Sequence, residues 1–276
     1  MGWTGHLALN YRRDGARTLA HDRHHGPLRV LQSLYPEGSG VCHHVLVHPP
    51  GGIIGGDVLQ LDATLREGAH ALITTPSAAR FYRSAGEPAA QRVTARVASG
   101  ARLEWLPLET ICHRAALAEN SLRFELAAGG EMIGWDAVAL GLPASGEAFD
   151  AGHYAQRIEL PGVWLERATI RGSDTRLLDS PLGFAGHRVL ATMWFAAGSA
   201  MPNERREQLL DAARAVASQH PLARTAGATS ACAEVVVLRV LAPHVEPAMQ
   251  LMGAVWARWR SAGWNLSACA PRVWLC

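Results

Sequence analysis

Leu65-Arg66-Glu67-Gly68-Ala69 leads into Ala71-Leu72-Ile73. Val97-Ala98-Ser99-Gly100-Ala101 leads into Leu103-Glu104-Trp105, and Leu126-Ala127-Ala128-Gly129-Gly130 leads into Met132-Ile133-Gly134-Trp135. Each reads as strand, tight glycine turn, strand, recurring about every thirty residues, a period typical of stacked repeat architectures. The flanking segments alternate with period two. Leu59, Leu61, Ala63 and Leu65 face one way, and Gln60, Asp62, Thr64 and Arg66 the other. Val93, Ala95 and Val97 likewise alternate with Arg92, Thr94 and Arg96. Such alternation means sheets with one buried face. Read as stacked hairpins, these units predict a mainly β, solenoid-like body of layered sheet, with a plain β-sandwich as the alternative.

Outward from this repeat the pattern continues and then changes. Arg157 to Ile170 reads as a hairpin turning at Pro161-Gly162. Asn203 is placed to cap a helix over 204–219, with Leu209, Leu210, Ala213 and Val216 on one face. A second helix is expected over 246–261, with Met249, Met252, Val255, Trp256 and Trp259 at helical spacing, a stripe that reads as core. The chain is therefore read as one domain over 1–276, with a β body to about 200 and a helix-containing part from about 201.

Composition narrows the function classes. The chain has 276 residues, 49% of them hydrophobic, which excludes disorder. A formal charge of +2, with no basic run interleaved with aromatics, argues against nucleic acid. No apolar run reaches the ~18 residues that span a bilayer, and the N-terminus lacks a signal-peptide core. The chain reads as cytoplasmic. All 26 basic residues are arginine, so a Schiff-base lysine, a P-loop lysine and a lysine base are excluded together. Cys42, Cys112, Cys232, Cys269 and Cys276 are scattered and hold no CxxC pair, which argues against a disulfide framework and a structural zinc site. A mean hydropathy of +0.02 with nine tryptophans predicts exposed apolar partner surface on the free chain.

The stretch His48-Pro49-Pro50-Gly51-Gly52-Ile53-Ile54-Gly55-Gly56-Asp57 cannot be helix or regular strand. Ile53 and Ile54 predict that this loop is packed, and Asp57 is suited to cap its last turn. No Lys-Ser or GxGxxG accompanies the glycines, so phosphate binding is poorly supported. Asp136 lies in a segment apolar on both parities, so its carboxylate needs a partner, a hydrogen-bond cage or a metal. The residues alone favour a salt bridge to one of the arginines. Glu166 shares parity with Trp164, Ala168 and Ile170, while Arg167 points away from it. No GxSxG or HExxH is present. The enzyme alternative is a small-molecule hydrolase using Asp57, His48 or Glu109 in acid-base chemistry. His21, His24, His25, His43, His44 and His48 cluster early and, with carboxylates, suit a transient site for nickel or a similar metal.

The loop, Thr74-Thr75-Pro76, Phe81-Tyr82-Arg83-Ser84, His24-His25-Gly26-Pro27-Leu28, Leu34-Tyr35-Pro36-Glu37-Gly38, Cys42-His43, Leu103-Glu104-Trp105-Leu106-Pro107, Gly134-Trp135-Asp136, Leu140-Gly141, Leu165-Glu166-Arg167 and Pro271-Arg272-Val273-Trp274 occur in an ordered series. This series resembles the urease accessory protein UreD (UreH) family. The resemblance implies a non-enzymatic scaffold that binds urease apoprotein with UreF and the GTPase UreG. It implies no permanently bound cofactor, with nickel in transit through an internal polar passage to the urease active site. On the matching motifs the passage residues are Asp57, Ser84, Asp136 and Glu166. The structural loop is His48, Pro49, Pro50, Gly51, Gly52, Gly55 and Gly56, and further candidates are His43, Tyr82, Arg83 and Glu109. Two positions depart from the family pattern. Leu108 stands where glutamine is common, and Leu142 where arginine is common, so neither carries the polar group. Arg80 replaces a common lysine and keeps the charge.

Overall fold

A computed structural model describes residues 2–142 and 145–275, so Cys276 lies outside the described residues. In chain order the strands are β1 (Thr4–Asp14), β2 (Arg17–His25), β3 (Arg29–Val30), β4 (Val41–Val47), β5 (Val58–Leu65), β6 (His70–Thr74), β7 (Ala79–Phe81), β8 (Ala89–Val97) and β9 (Arg102–Leu106). They continue as β10 (Thr110–Cys112), β11 (Leu117–Leu126), β12 (Glu131–Leu140), β13 (His153–Leu160), β14 (Trp164–Arg171), β15 (Val189–Ala197), β16 (Ala226–Cys232) and β17 (Val235–Ala242). The helices are α1 (Thr175–Asp179), α2 (Asn203–Ser218) and α3 (Val245–Trp264).

The strands form two sheets. One has the order β14-β13-β11-β8-β5-β1-β2, and the other, of ten strands, runs β16-β17-β15-β12-β9-β6-β4-β3 with β10 and β7 branching from β12. From β4 to β13 the chain passes back and forth between them. β5, β8, β11 and β13 pair in parallel in the first sheet, and β4, β6, β9 and β12 in the second. This is a solenoid body, mainly β as expected. The units are coils rather than hairpins. The strands either side of Gly68, Gly100 and Gly129 join opposite sheets, so each glycine turn is an arc between layers. Only β13 and β14, about Pro161-Gly162, make the expected hairpin among these units.

The turns themselves are alike. Ala69 N–H donates to Arg66 O at 3.0 Å, Ala101 to Ala98 at 3.1 Å and Gly130 to Ala127 at 2.8 Å. In each, the third residue is a glycine with positive φ, at 68°, 67° and 78°. A type II turn needs this conformation there, and glycine adopts it without steric cost. A third, shorter ladder closes the opposite end of the coils. β7 pairs with β10, β10 with the end of β12, and Ile53 bridges to Phe81.

The alternating apolar faces of both sheets meet in one core that includes Leu61, Val93, Leu122, Phe124 and Trp194. A second core lies between the ten-stranded sheet and α2 and α3, with Trp135, Met193, Leu209, Met252, Val255 and Trp256. β12 is therefore buried on both faces, and the Met-Trp stripe of α3 is core. Two expectations change in the C-terminal part. Asn203 is the first helical residue and Pro202 the cap, with no side-chain capping bond. The segment also contains β16 and β17, which extend the ten-stranded sheet beyond β15. Their run of Ala, Gly and Ser in β16 carries little strand signal. The exposed large hydrophobics Leu31, Leu165 and Leu182 lie apart along the chain, Leu165 on β14 and the other two in connections.

Candidate functional site

The Pro-Gly loop is held as a rung of the short ladder. Gly51 N–H donates to His48 O at 2.8 Å, forming the first turn. Ile53 N–H then donates to Arg80 O at 2.7 Å, and Tyr82 N–H to Ile53 O at 3.0 Å. Ile53 is buried, whereas Ile54 is half exposed, so only one of the two isoleucines anchors the loop. Gly52 has no room for a side chain, because a Cβ there would lie 2.0 Å from the Tyr82 ring. The loop closes on buried Asp57. One carboxylate oxygen accepts from Trp3 N–H and the other from Ile54 N–H, each at 3.1 Å. Asp57 thus caps its turn, as its position predicted.

Behind the loop lies a cavity of about 270 Å³, lined in part by His48, Ile53, Arg80, Gln91, Trp105 and Asp136. Its polar lining is incompletely satisfied. His48 Nε2 and Trp105 Nε1 are both buried without a hydrogen-bond partner. Burial lowers the His48 pKa, against the opposing pull of the Asp57 carboxylate, so the ring is neutral at neutral pH.

Asp136 projects from β12 into the space between the sheets, where β11 and β13 surround it. Gln156 Nε2 donates to Oδ2 at 2.6 Å, Asn120 Nδ2 to Oδ1 at 3.1 Å and Tyr154 OH to Oδ2 at 3.4 Å. The expected arginine partner is replaced by this amide and phenol cage. The inward positions of the neighbouring strands carry no arginine to reach it. Burial raises the Asp136 pKa; its three donors pull the other way, and the Glu166 carboxylate adds to the rise. Gln156 Oε1 is buried and unpartnered. Across the strand pair, Asp136 sits opposite Thr192, and Thr192 opposite Arg239. Thr192 Oγ1 donates to Glu166 Oε1 at 2.8 Å, and Arg239 Nε to Oε2 at 2.8 Å. Glu166 has the salt bridge that Asp136 lacks.

The structure therefore brings Asp136 and Glu166 into one polar row and connects Asp136 to His48 through the cavity. Asp57 faces backbone donors. Ser84 sits in a surface turn, donating to Glu87 O and accepting from Gly86 N–H at 3.0 Å. Tyr82 stacks on His113 with ring centroids 4.9 Å apart, and Arg83 is exposed. His43 lies on the helix-facing side, bonded to Glu37 at 2.6 Å. Glu109 lines a different cavity, beside Glu246 of α3. Burial raises its pKa, and the Glu246 carboxylate raises it further. His48 and Glu109 thus do not share the one pocket that acid-base hydrolysis would need. Among the described residues no three His, Cys, Asp or Glu side chains converge as a ready-made metal site.

Asn120, Tyr154 and Gln156 were missed in the sequence. Each occupies the buried parity of an alternating strand, beside Ala118 and Leu122 or beside Ile158. A polar residue on a buried face was the available signal. Glu104 was missed in the same way. It is fully buried and accepts from Trp256 Nε1 at 2.6 Å.

The family profile described as UreD urease accessory protein matches residues 4–275. The chain belongs to the UreD family. It is 62% identical to the urease accessory protein UreD of Leptothrix cholodnii over 276 residues, covering 99% of both chains. It is 58% identical to that of Polaromonas naphthalenivorans over 274 residues, again with 99% coverage of each. With the UreD of Methylibium petroleiphilum the identity is 55% over 294 residues, at the same coverage. UreD membership gives the chain a role in urease maturation, and these relatives carry the name of accessory rather than catalytic factors. Among the described residues of this UreD-family chain, no helix is long and apolar enough to cross a membrane.

Proposed function

We propose that this chain is a non-catalytic scaffold in urease maturation. It binds urease apoprotein together with UreF and UreG in the cytoplasm and passes nickel through its interior. The observation that carries this reading is the cavity behind the loop, apolar in most of its lining but reached by both His48 and Asp136, with Glu166 next in the row beyond Asp136. Unpartnered buried polar atoms in a space of this size call for water, and a hydrated path lets an ion move. Carboxylate, amide and hydroxyl oxygens are weak ligands for nickel, which suits a conduit that must release its cargo. The ion is cargo, so no resident metal is required.

The test is the nickel content of urease matured with Asp136→Ala or Glu166→Ala. Both variants are expected to form the accessory complex and to leave urease with severalfold less nickel. Glu166→Ala frees the half-solvated Arg239 and the buried Thr192 hydroxyl, against the three buried donors freed by Asp136→Ala, so it is the milder structural change. Unchanged nickel and activity in both variants would rule out the conduit and leave a scaffold whose acids serve folding.

A further inference from the structure

We propose that His48 is the selectivity ligand of this passage, the nitrogen donor that an incoming ion meets before the oxygen donors at Asp136 and Glu166. The inference rests on the conduit reading above.

The argument starts from the cavity lining. Among the described lining residues, His48 is the one whose side-chain nitrogen offers a lone pair. Arginine, the glutamine amide nitrogen and the indole nitrogen have none to give. His48 Nε2 has no hydrogen-bond partner, so no existing bond must break before it coordinates. Farther in, the available acceptors are all oxygens: the Asp136 carboxylate, the unpartnered Gln156 Oε1, Thr192 Oγ1 and the Glu166 carboxylate.

An oxygen-only path does not favour nickel. Carboxylate and carbonyl ligands suit magnesium, calcium and manganese, whereas imidazole suits nickel and its neighbours. The place to impose a choice is the mouth, and His48 is there. It is half-buried, and the three residues after it, Pro49, Pro50 and Gly51, are exposed. Its backbone is fixed by the Gly51 turn, and its ring packs against Trp3 with centroids 5.4 Å apart. A preorganised ligand of this kind discriminates without binding tightly at several points.

The experiment uses the complete urease operon in cells supplied with nickel and a rising concentration of manganese. Urease is purified and its nickel-to-manganese ratio measured by elemental mass spectrometry, with His48→Gln and His48→Cys compared with the native chain. Losing even an outer partner of a metal ligand costs about 10–100-fold in affinity. His48→Gln is therefore expected to need about tenfold more nickel to hold the native ratio. His48→Cys supplies a soft donor and is expected to keep the preference. A His48→Gln profile equal to the native one, while Asp136→Ala still lowers nickel, overturns the selectivity role and leaves the conduit standing. No effect from either change removes the conduit and the inference together. Should His48→Gln fail to assemble, the native chain decides: manganese loading that tracks its supply overturns the inference, and loading that stays low supports it along with His48→Cys.

Discussion

His44 is kept neutral by its surroundings. Tyr11 OH lies 2.7 Å from Nδ1 and Ser33 Oγ 2.9 Å from Nε2, and the ring is buried. Burial lowers its pKa to about 4, with Asp22 opposing and His43 adding to the drop. The folded form thus binds fewer protons than the unfolded form between pH 4 and 6.5. Stability from this residue is present above 6.5 and is lost as pH falls towards 4. The loss reaches about 1.4 kcal/mol per pH unit inside that window. Urea unfolding from pH 4 to 7 is expected to show a shallower pH dependence for His44→Gln than for the native chain. At this scale the sequence exposed positions better than partners. Asp136 and Glu166 stood out because strand parity buried them. Their partners did not, because Gln156 and Arg239 reach them from strands whose pairing no local pattern reveals.

At the scale of elements, two features decide what holds. The first is α3, which is tied to the sheet by a buried charge network. Arg260 is fully buried, with Nη2 2.7 Å from Glu37 Oε2 and Nη1 donating to Ser267 O at 2.7 Å. Its Nε lies 3.4 Å from Glu104, which also meets His70 Nε2 at 2.7 Å. Arg260→Met would leave two carboxylates without their cation and is expected to cost about 3–5 kcal/mol in urea unfolding. Restoring part of that loss with Glu104→Gln in the same chain would confirm the cause. The apolar stripe of α3 was legible from its spacing, but an arginine in the same stripe gave no sign of where its charge would go. The second feature is the glycine arcs. Gly100→Ala meets only a backbone atom at 3.8 Å, so its cost is that of φ +67° alone, about 1–2 kcal/mol. A Cβ on Gly198 would sit 1.9 Å from Ala127 O, so Gly198→Ala is expected to be far worse. Thermal unfolding of the two variants checks this order.

Across the whole molecule, strand type and turn positions were readable from alternation and glycine spacing, whereas the partner of each strand was not. A type II turn serves a hairpin and an arc between sheets equally well. The choice rests on contacts about thirty residues apart, which leave no mark within one repeat. The helices could be placed by period, and β12 being apolar on both parities marked a strand covered on both faces, but nothing in the sequence showed that α2 and α3 are the cover. This stacking has a further consequence for how the chain comes into being. A hairpin can close as soon as its second strand is made, but a parallel rung must wait for a full coil. A ribosome adding ~5–20 residues per second takes a few seconds between rungs. During that interval the apolar edge of the newest coil has nothing to pair with. The period of greatest aggregation risk is therefore synthesis itself, before the next coil arrives to cover the last.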